Sequence, residues 1–288
     1  MKKLILFLSI INTFVTIAQN WKVATPFNNA NVIRDMETTP DGTLYVIADQ
    51  THSMYKKALT SPTWSKMNVT NTSVFGNPSD MQMLNNTTGY AISNGGRLAK
   101  TTNGWQTSLD IITSTSHNRI FFLNENVGYI FGYKRFIRKT IDSGITWTNL
   151  SIPSSLISTE ADLTDLEFIN ENIGFAISTK GSVFKTVDQG VTWTKIQLQA
   201  SNYALKELVF VDENIGLATG PFGQIYRTIN QGVTWSMMST SGGLIHDIRF
   251  INGVLYATGE NRSFIKSTNL GVTWSDLKTV TTPSGGTG

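Results

Sequence analysis

Tryptophan recurs along this chain at a nearly constant interval, and this spacing restricts the possible folds most strongly. Successive tryptophans lie 43, 41, 42, 46, 42 and 39 residues apart, at Trp21, Trp64, Trp105, Trp147, Trp193, Trp235 and Trp274. An interval near 40 residues is typical of one four-stranded blade of a β-propeller. No stretch with the periodicity of a helix competes with this pattern. The spacing therefore predicts an all-β chain made of repeated sheets.

Each interval contains two predicted hairpins. Residues 163–178 (LTDLEFINENIGFAIS) read as two strands joined by a polar turn, and residues 182–198 (SVFKTVDQGVTWTKIQL) as a third and a fourth strand. We therefore predict a β-propeller of four-stranded antiparallel blades with six complete repeats, at about 27–70, 71–112, 113–152, 153–199, 200–241 and 242–280. A turn glycine precedes each second strand, where we expect positive φ: Gly42, Gly89, Gly128, Gly174, Gly216 and Gly253.

The ends of the chain differ from the repeats. Lys2 and Lys3 precede an apolar run, and small residues near Ala18 complete a typical signal peptide over residues 1–18. The propeller is predicted over 19–280, followed by a tail rich in Gly, Ser and Thr at 281–288. Residues 20–27 (NWKVATPF) resemble a fourth strand without a blade of its own. Six blades are favoured, and a seventh stays possible.

Composition limits location and partners. Without Lys2 and Lys3 the chain has 21 basic and 20 acidic residues, so its charge does not favour nucleic acid. It has no cysteine, which excludes a lipid-anchored cysteine after the signal, and no later run is long enough to span a membrane. We expect a secreted, periplasmic or cell-surface monomer.

The strongest motif lies in the second hairpin of the later repeats. The segments TIDSGITW, TVDQGVTW, TINQGVTW and STNLGVTW resemble the Asp-box, or bacterial neuraminidase repeat, and we call them box turns. Asp and Asn interchange at the third position, which suits a turn acceptor better than a catalytic acid. TTNGWQT from Thr101 is interpreted as a shortened copy. The predicted structural residues are Asp142, Gly144, Trp147, Asp188, Gly190, Trp193, Asn230, Gly232, Trp235, Asn269, Gly271 and Trp274.

The resemblance extends over essentially the entire mature chain. In three features the chain resembles secreted propellers related to the photosystem II stability/assembly factor family. These features are an acidic residue at the start of the first strand, a Gly-aromatic-Ala second strand and an F/Y-K/R-T sequence that leads into the box turn. That resemblance implies a propeller that binds protein partners rather than a catalyst. It does not imply a photosynthetic role here.

Two sets of residues, all charged except Phe222, are predicted on the face opposite the box turns, which we call the upper face. One, the channel ring, surrounds the mouth of the central channel and could hold a cation or a basic peptide, or could cap backbone N–H groups: Asp35, Asp80, Arg119, Asp165, Glu207 and Asp247. The other, the upper loops, lies between second and third strands and could bind carboxylates or sulfates, or be solvated loop tips: Arg97, Lys134, Arg135, Lys180, Phe222 and Arg262.

A third set of cations leads into the box turns or their remnants. Its members are Lys57, Lys100, Lys139, Lys185, Arg227 and Lys266. We expect these residues to serve solubility and to protect the edges of the sheets.

The enzymatic alternative is an Asp-box glycoside hydrolase, either sialidase-like or glucan-cleaving. Arg34, Arg119 and Arg249 lie on inner strands, as arginines that bind a sialic acid should, but Asp35 stands where that family has proline and no Tyr/Glu pair is identifiable. The histidines His52, His117 and His246 have no metal-ligand spacing. We therefore predict no catalytic residues, metal or cofactor, and favour a non-catalytic scaffold whose upper face binds a protein or glycan.

Overall fold

The structure is a computed structural model that describes residues 33–48, 53–67, 69, 78–94, 96–112, 117–158, 161–196, 198, 203–239, 243–260 and 264–276. Within these residues, six four-stranded antiparallel sheets form the ring of a six-bladed β-propeller. The predicted fold class is confirmed. The predicted signal peptide, the strand at 20–27 and the tail at 281–288 lie outside the described residues.

The strands follow chain order from the channel to the rim. Blade 1 is β1 (Ile33–Thr38), β2 (Leu44–Ala48), β3 (Ser53–Lys57) and β4 (Ser65–Met67); blade 2 is β5 (Pro78–Met83), β6 (Gly89–Ser93), β7 (Arg97–Thr101) and β8 (Leu109–Ile112); blade 3 is β9 (His117–Phe122), β10 (Gly128–Gly132), β11 (Phe136–Thr140) and β12 (Thr148–Ser151). Blade 4 is β13 (Leu163–Phe168), β14 (Gly174–Ser178), β15 (Val183–Thr186) and β16 (Thr194–Ile196); blade 5 is β17 (Leu208–Phe210), β18 (Gly216–Thr219), β19 (Gln224–Thr228) and β20 (Ser236–Ser239); blade 6 is β21 (Ile245–Ile251), β22 (Val254–Gly259), β23 (Phe264–Ser267) and β24 (Ser275–Asp276).

The core lies between neighbouring blades. Strands such as β6 and β14 are buried along their whole length, because adjacent blades cover both faces of a sheet. Aromatic rings stack between neighbouring blades: Tyr90 of blade 2 lies on Phe122 of blade 3 at 3.9 Å, and Tyr129 of blade 3 on Phe168 of blade 4 at 4.3 Å between ring centroids. No helix among the described residues is long and apolar enough to cross a membrane.

The turn glycines act differently from the prediction at four positions. Gly42 and Gly253 have positive φ, whereas Gly89, Gly128, Gly174 and Gly216 do not. At those four a side chain would collide with the residue opposite on the inner strand; a Cβ at Gly128 would lie 2.5 Å from the ring of Phe122. The expectation of positive φ was therefore wrong there, and the glycine instead makes room for an aromatic ring or methionine.

All four box turns are closed by the same hydrogen bonds. The glycine N–H donates to the first Thr or Ser hydroxyl at 2.9 Å, and the third residue accepts the N–H of the later threonine at 2.8–2.9 Å. Asp142 also accepts the hydroxyl of Thr146, whereas the amide of Asn230 donates to the hydroxyl of Thr234. The exchange of Asp and Asn therefore only reverses one hydrogen bond.

The segment from Thr101 is a full-length box turn and not a shortened one. Asn103 accepts the N–H of Thr107 at 3.0 Å, as Asp142 does in blade 3. Trp105 therefore occupies the position of the box glycine, with φ of 63°, and Ser108 the position of the box tryptophan. The fully buried indole of Trp105 packs among Tyr45 and Met83, the same inter-blade space that Trp147 fills one blade later.

The cations before the box turns connect neighbouring blades. Lys185 Nζ donates to the carbonyl of Gln231 at 2.7 Å, and Arg227 Nε to that of Leu270 at 2.7 Å. Lys100 reaches the carbonyl of Ser143 in the same way at 3.3 Å. In blade 1 this register position belongs to Lys56 and not to Lys57. These cations satisfy carbonyls of the next box turn, which solubility alone does not require.

The box turns and the first hairpin turns share one face, the lower face, as predicted. The N–H of Ser143 donates to the carbonyl of Asn126 at 3.0 Å, and Gln189 bonds to Asn172 in the same way. The upper loops and the starts of the inner strands meet on the opposite side, where the N–H of Lys134 donates to Asp162.

Candidate functional site: channel mouth and upper loops

The channel ring lies at equivalent positions of the six inner strands. Five members are within β1, β5, β9, β13 and β21, and Glu207 directly precedes β17. All six are half-buried. The predicted ring therefore exists as a structural arrangement, and its hydrogen bonds indicate what its carboxylates do.

Three of these carboxylates join their blade to the next one. Asp35 accepts the N–H of Met81 at 2.9 Å, Asp80 that of Ile120 at 2.8 Å, and Asp165 that of Leu208 at 2.8 Å. Each acceptor lies on the inner strand of one blade and each donor one register position later in the following blade. The inner edge of a blade would otherwise expose unpaired N–H groups, so these bonds stabilise the ring.

A second layer of the same bonds lies two residues deeper in the channel. Gln82 accepts the N–H of Phe122 at 2.6 Å and donates to its carbonyl at 3.0 Å, while Glu167 accepts the N–H of Phe210 at 3.0 Å. The sequence analysis missed these residues. The alternation of side chains along a strand, which puts residues two apart on one side, could have found them.

Arg119 interrupts this pattern because a guanidinium cannot accept a hydrogen bond. In the following blade, Asp165 accepts the N–H of its own neighbour Leu166 at 2.8 Å. The carboxylates around Arg119 instead stabilise its positive charge. Burial opposes that charge, but Asp80, Glu207, Asp165 and Asp35 together raise the pKa of Arg119 above its usual value.

The acids of the channel are held in an unfavourable environment for their charge. Burial raises the pKa of Asp80 well above its usual value, and the charge of Asp35 raises it further. Burial and the nearby Asp165 do the same to Glu207. Arg249 partly compensates: its Nε lies 3.0 Å from Asp247 Oδ1, and its Nη2 lies 3.9 Å from Glu207 Oε1. No group of three or more His, Asp or Glu side chains in the described chain is arranged to hold a metal.

The upper loops present a second surface. Lys134 and Lys180 are exposed, Arg97 begins β7, and Phe222 has 67% of its surface exposed. The sixth predicted residue, Arg262, lies outside the described residues. These side chains come from different blades, so they surround the channel mouth rather than forming one compact cluster.

The loop of blade 3 from 133 to 136 is held by hydrogen bonds to the segment that leads into blade 4. Its backbone is fixed by Asp162, which accepts the N–H of Lys134 at 2.7 Å, and by Leu163, whose N–H donates to the carbonyl of Lys134 at 3.3 Å. Lys134 has a φ of 59°, which is uncommon for a side chain of this type. The loop therefore holds Arg135 and the exposed ring of Phe136 in a fixed position.

Arg135 has an unused donor. Its Nε is buried and makes no hydrogen bond among the described residues, and its guanidinium lies 5.7 Å from the centre of the Phe136 ring. A buried donor without a partner is costly, and the half-buried guanidinium of Arg135 can pair with a carboxylate through its terminal nitrogens.

Phe222 forms an exposed aromatic pair in blade 5. Its ring meets that of Tyr203 edge to face at 5.6 Å, and both rings are more than half exposed. A short 3-10 turn, Pro221–Gly223, holds Phe222 at a φ of 58°. Sequence reasoning predicted Phe222 at a loop position but missed Tyr203, which precedes its blade.

Comparisons with known proteins agree with this geometry. Residues 99–249 match the model of a family described as photosynthesis system II assembly factor YCF48. Among solved structures, YCF48 bound to D1 peptide is similar with a TM-score of 0.68 and 16% identity, covering 86% of this chain and 82% of that one. YCF48 from Cyanidioschyzon merolae has a TM-score of 0.52 and 14% identity, covering 81% and 94%. An ancestral GH74 enzyme has a TM-score of 0.69 and 14% identity, covering 85% of this chain but 38% of the enzyme. A comparison with curated proteins finds no match.

Proposed function

Since the chain belongs to the photosynthesis system II assembly factor YCF48 family, we propose that it is an exported, non-catalytic scaffold whose upper face binds a carboxylate-bearing segment of a partner protein. The half-buried guanidinium of Arg135, on a hydrogen-bonded loop beside the exposed ring of Phe136, carries this proposal. Its loop is fixed by hydrogen bonds before any ligand arrives, which reduces the entropic cost of binding. The similar YCF48 structure with a bound D1 peptide supports a peptide as the class of partner.

The surrounding side chains suit such a segment. Lys134 and Lys180 supply exposed positive charge around the channel mouth, and Phe136 and Phe222 supply exposed rings. Interfaces are enriched in aromatic side chains and arginine, which combine contact area with directed hydrogen bonds. A glycan with carboxylate or sulfate groups would share the charge requirement and is an outcome of the test.

The glycoside hydrolase alternative needs two carboxyl groups available as acid and base. Asp35, Asp80 and Asp165 already accept backbone N–H groups of the following blades. These three channel acids therefore have a structural role, which makes them unsuitable as a free acid and base.

Binding is tested with the mature chain and a variant, Arg97→Ala/Lys134→Ala/Arg135→Ala. The probes are immobilised Asp- and Glu-rich peptides beside uronate and sulfated oligosaccharides. We expect peptide affinity to fall about tenfold or more in the variant, because each charge-assisted hydrogen bond contributes about 1.5–3 kcal/mol. Lys66→Ala/Lys195→Ala, at exposed lysines of the outer strands β4 and β16, is the matched control.

Unchanged peptide binding in the upper-loop variant would contradict the proposal, and binding of the oligosaccharides alone would replace the protein partner by a glycan. Export is tested separately by mass spectrometry of the mature protein. We expect its first residue to be Gln19, and an uncleaved chain in the cytoplasmic fraction would contradict export.

A further inference from the structure

The box turns of blades 3, 4 and 5 expose branched aliphatic side chains to solvent. Each turn carries two of them, directly after its first threonine and directly after its glycine. Their exposed fractions range from 62% at Ile229 to 80% at Ile145. We call this set the lower rim: Ile141, Ile145, Val187, Val191, Ile229 and Val233. Exposed apolar side chains in register on successive blades are unusual for a surface that meets only water.

Folding does not require these side chains. The box turn of blade 2 carries Thr102 and Gln106 at the equivalent positions and still makes the same bonds, with Asn103 accepting the N–H of Thr107 at 3.0 Å. Since a polar residue closes the turn equally well, closure of the turn does not explain the aliphatic residues of blades 3 to 5.

Open grooves lie beside the lower rim. Ile145 forms one wall of a groove of about 630 Å³ whose opposite wall includes Leu109 and Ile111 of blade 2. Val191 borders a second groove of about 500 Å³ that follows Asn149 and Leu150 of blade 3, contains Arg138 and extends to Phe136. Each groove therefore combines an exposed aliphatic side chain with the outer strand of the preceding blade.

The charge around the lower rim is negative. The first hairpin turns on this face carry exposed Glu125, Glu171, Asp212 and Glu213. Two nearby cations, Lys185 Nζ and Arg227 Nε, donate to carbonyls of the next blade, and Arg138 is the cation that lines the groove beside Val191. An apolar surface beside acidic tips attracts positively charged apolar ligands and repels an anionic membrane surface.

We propose that the lower rim binds a basic, amphipathic segment of a partner protein. Apolar side chains of that segment enter the grooves beside Ile145 and Val191, and its Lys or Arg side chains meet the acidic hairpin tips. The lower rim is thus a second interaction surface, which would let the propeller hold two protein segments of opposite charge on its two faces.

The test copies the polar residues of blade 2 into the other box turns: Ile141→Thr, Ile145→Gln, Val187→Thr, Val191→Gln, Ile229→Thr and Val233→Gln. The probe is an amphipathic peptide of leucine and lysine with leucine at every third or fourth position. The controls are a scrambled peptide of the same composition and a peptide with glutamate in place of lysine. We expect the mature protein to bind the leucine–lysine peptide at least about tenfold more tightly than the variant does, with affinity falling as salt rises.

Thermal unfolding at the same midpoint would show that the variant is folded. Equal binding by the two proteins, equal binding of the scrambled peptide, or preference for the glutamate peptide would overturn the proposal. Two further outcomes would also overturn it: sedimentation of the protein with zwitterionic vesicles would assign the lower rim to lipid, and self-association lost in the variant would assign it to a second copy of this chain.

Discussion

Single residues in this propeller are selected by the neighbouring blade as much as by their own turn. The box glycine at Gly232 needs a positive φ of 72°, but a Cβ there would also lie 2.3 Å from the ring of Phe175 in the preceding blade. Gly253, with a φ of 82°, has nothing within 4 Å of the same position. A side chain at Gly253 would therefore cause backbone strain alone, whereas one at Gly232 would cause both strain and a steric collision.

Gly253→Ala should reduce the free energy of unfolding by about 1–2 kcal/mol, the cost of a side chain in the left-handed region. Gly232→Ala should cost about 1–3 kcal/mol more, because the collision with Phe175 is added. Urea unfolding of both variants measures the difference. Equal losses would mean that the blades move apart freely at this contact.

The carboxylate of Asp188 gives the second prediction at this scale. Hydrogen bonds from Thr192 lower its pKa below the usual value, so its charge stabilises the fold above that value, and this stabilisation is lost as pH falls through the lowered pKa. Asp188→Asn keeps the acceptor oxygen, as Asn230 shows. We expect little change at about pH 6 and a smaller loss of stability between about pH 5 and pH 3 than in the unchanged protein. Parallel pH dependences of the two proteins would contradict this.

At the scale of elements, equivalent spaces between neighbouring blades are filled by tryptophans from two different positions of the box turn. Trp105 enters it from the glycine position of its turn, whereas Trp147 enters from the end of its turn. The tryptophan spacing was therefore right about the number of blades and misleading about the register of blade 2.

Exchanging these positions in blade 2 tests that equivalence. Trp105→Gly should cost about 3–5 kcal/mol, in the range of a large core deletion. Adding Ser108→Trp should restore a large part of this, because the indole then reaches the space by the route that Trp147 uses. Chemical denaturation of the single and double variants gives the coupling energy. A double variant no more stable than Trp105→Gly would show that the two routes are not equivalent.

The fold could be predicted from the sequence because its signal is repeated. Period, paired hairpins and turn residues agree in several copies, so an error in one copy does not change the architecture. The connections between blades could not be predicted. The hydrogen bonds between Asp165 and Leu208 and between Lys185 and Gln231 depend on the distance between neighbouring sheets. No local sequence pattern encodes that distance. The upper loops were found by position, but the free donor of Arg135 needed coordinates.

At the scale of the whole molecule, the central channel brings several carboxylates close together, and the folded ring must accommodate their mutual repulsion. Glu207 lies near Asp165 and Asp247, and its pKa is raised well above the usual value because burial and these charges disfavour ionisation. Folding therefore favours the protonated form. Below the usual glutamate pKa the Glu207 side chain is protonated in both the folded and the unfolded chain and does not change the stability. As pH rises from there toward the raised pKa, Glu207 increasingly destabilises the fold.

Glu207→Gln should raise the thermal midpoint at about pH 7, by about 2–4 °C for each kcal/mol of relieved repulsion, and leave it nearly unchanged at about pH 4. The contact with Arg249 is long, at 3.9 Å, so its loss is the smaller effect. Calorimetry at both pH values measures the shift. A lower midpoint at about pH 7 would mean that Glu207 is needed as the partner of Arg249.

Five backbone N–H groups of the described inner strands donate in the same direction round the channel, each to an acidic or amide side chain of the blade before it. A blade of this type therefore brings the acceptor for its successor and receives one from its predecessor. Tandem duplication of blade 1, 2 or 4 would supply an acceptor at the new junction between the two copies and at the junction with the next blade. Such a ring can gain or lose units by recombination without stranding buried donors, which gives a physical route by which propellers of different blade number could arise from one gene.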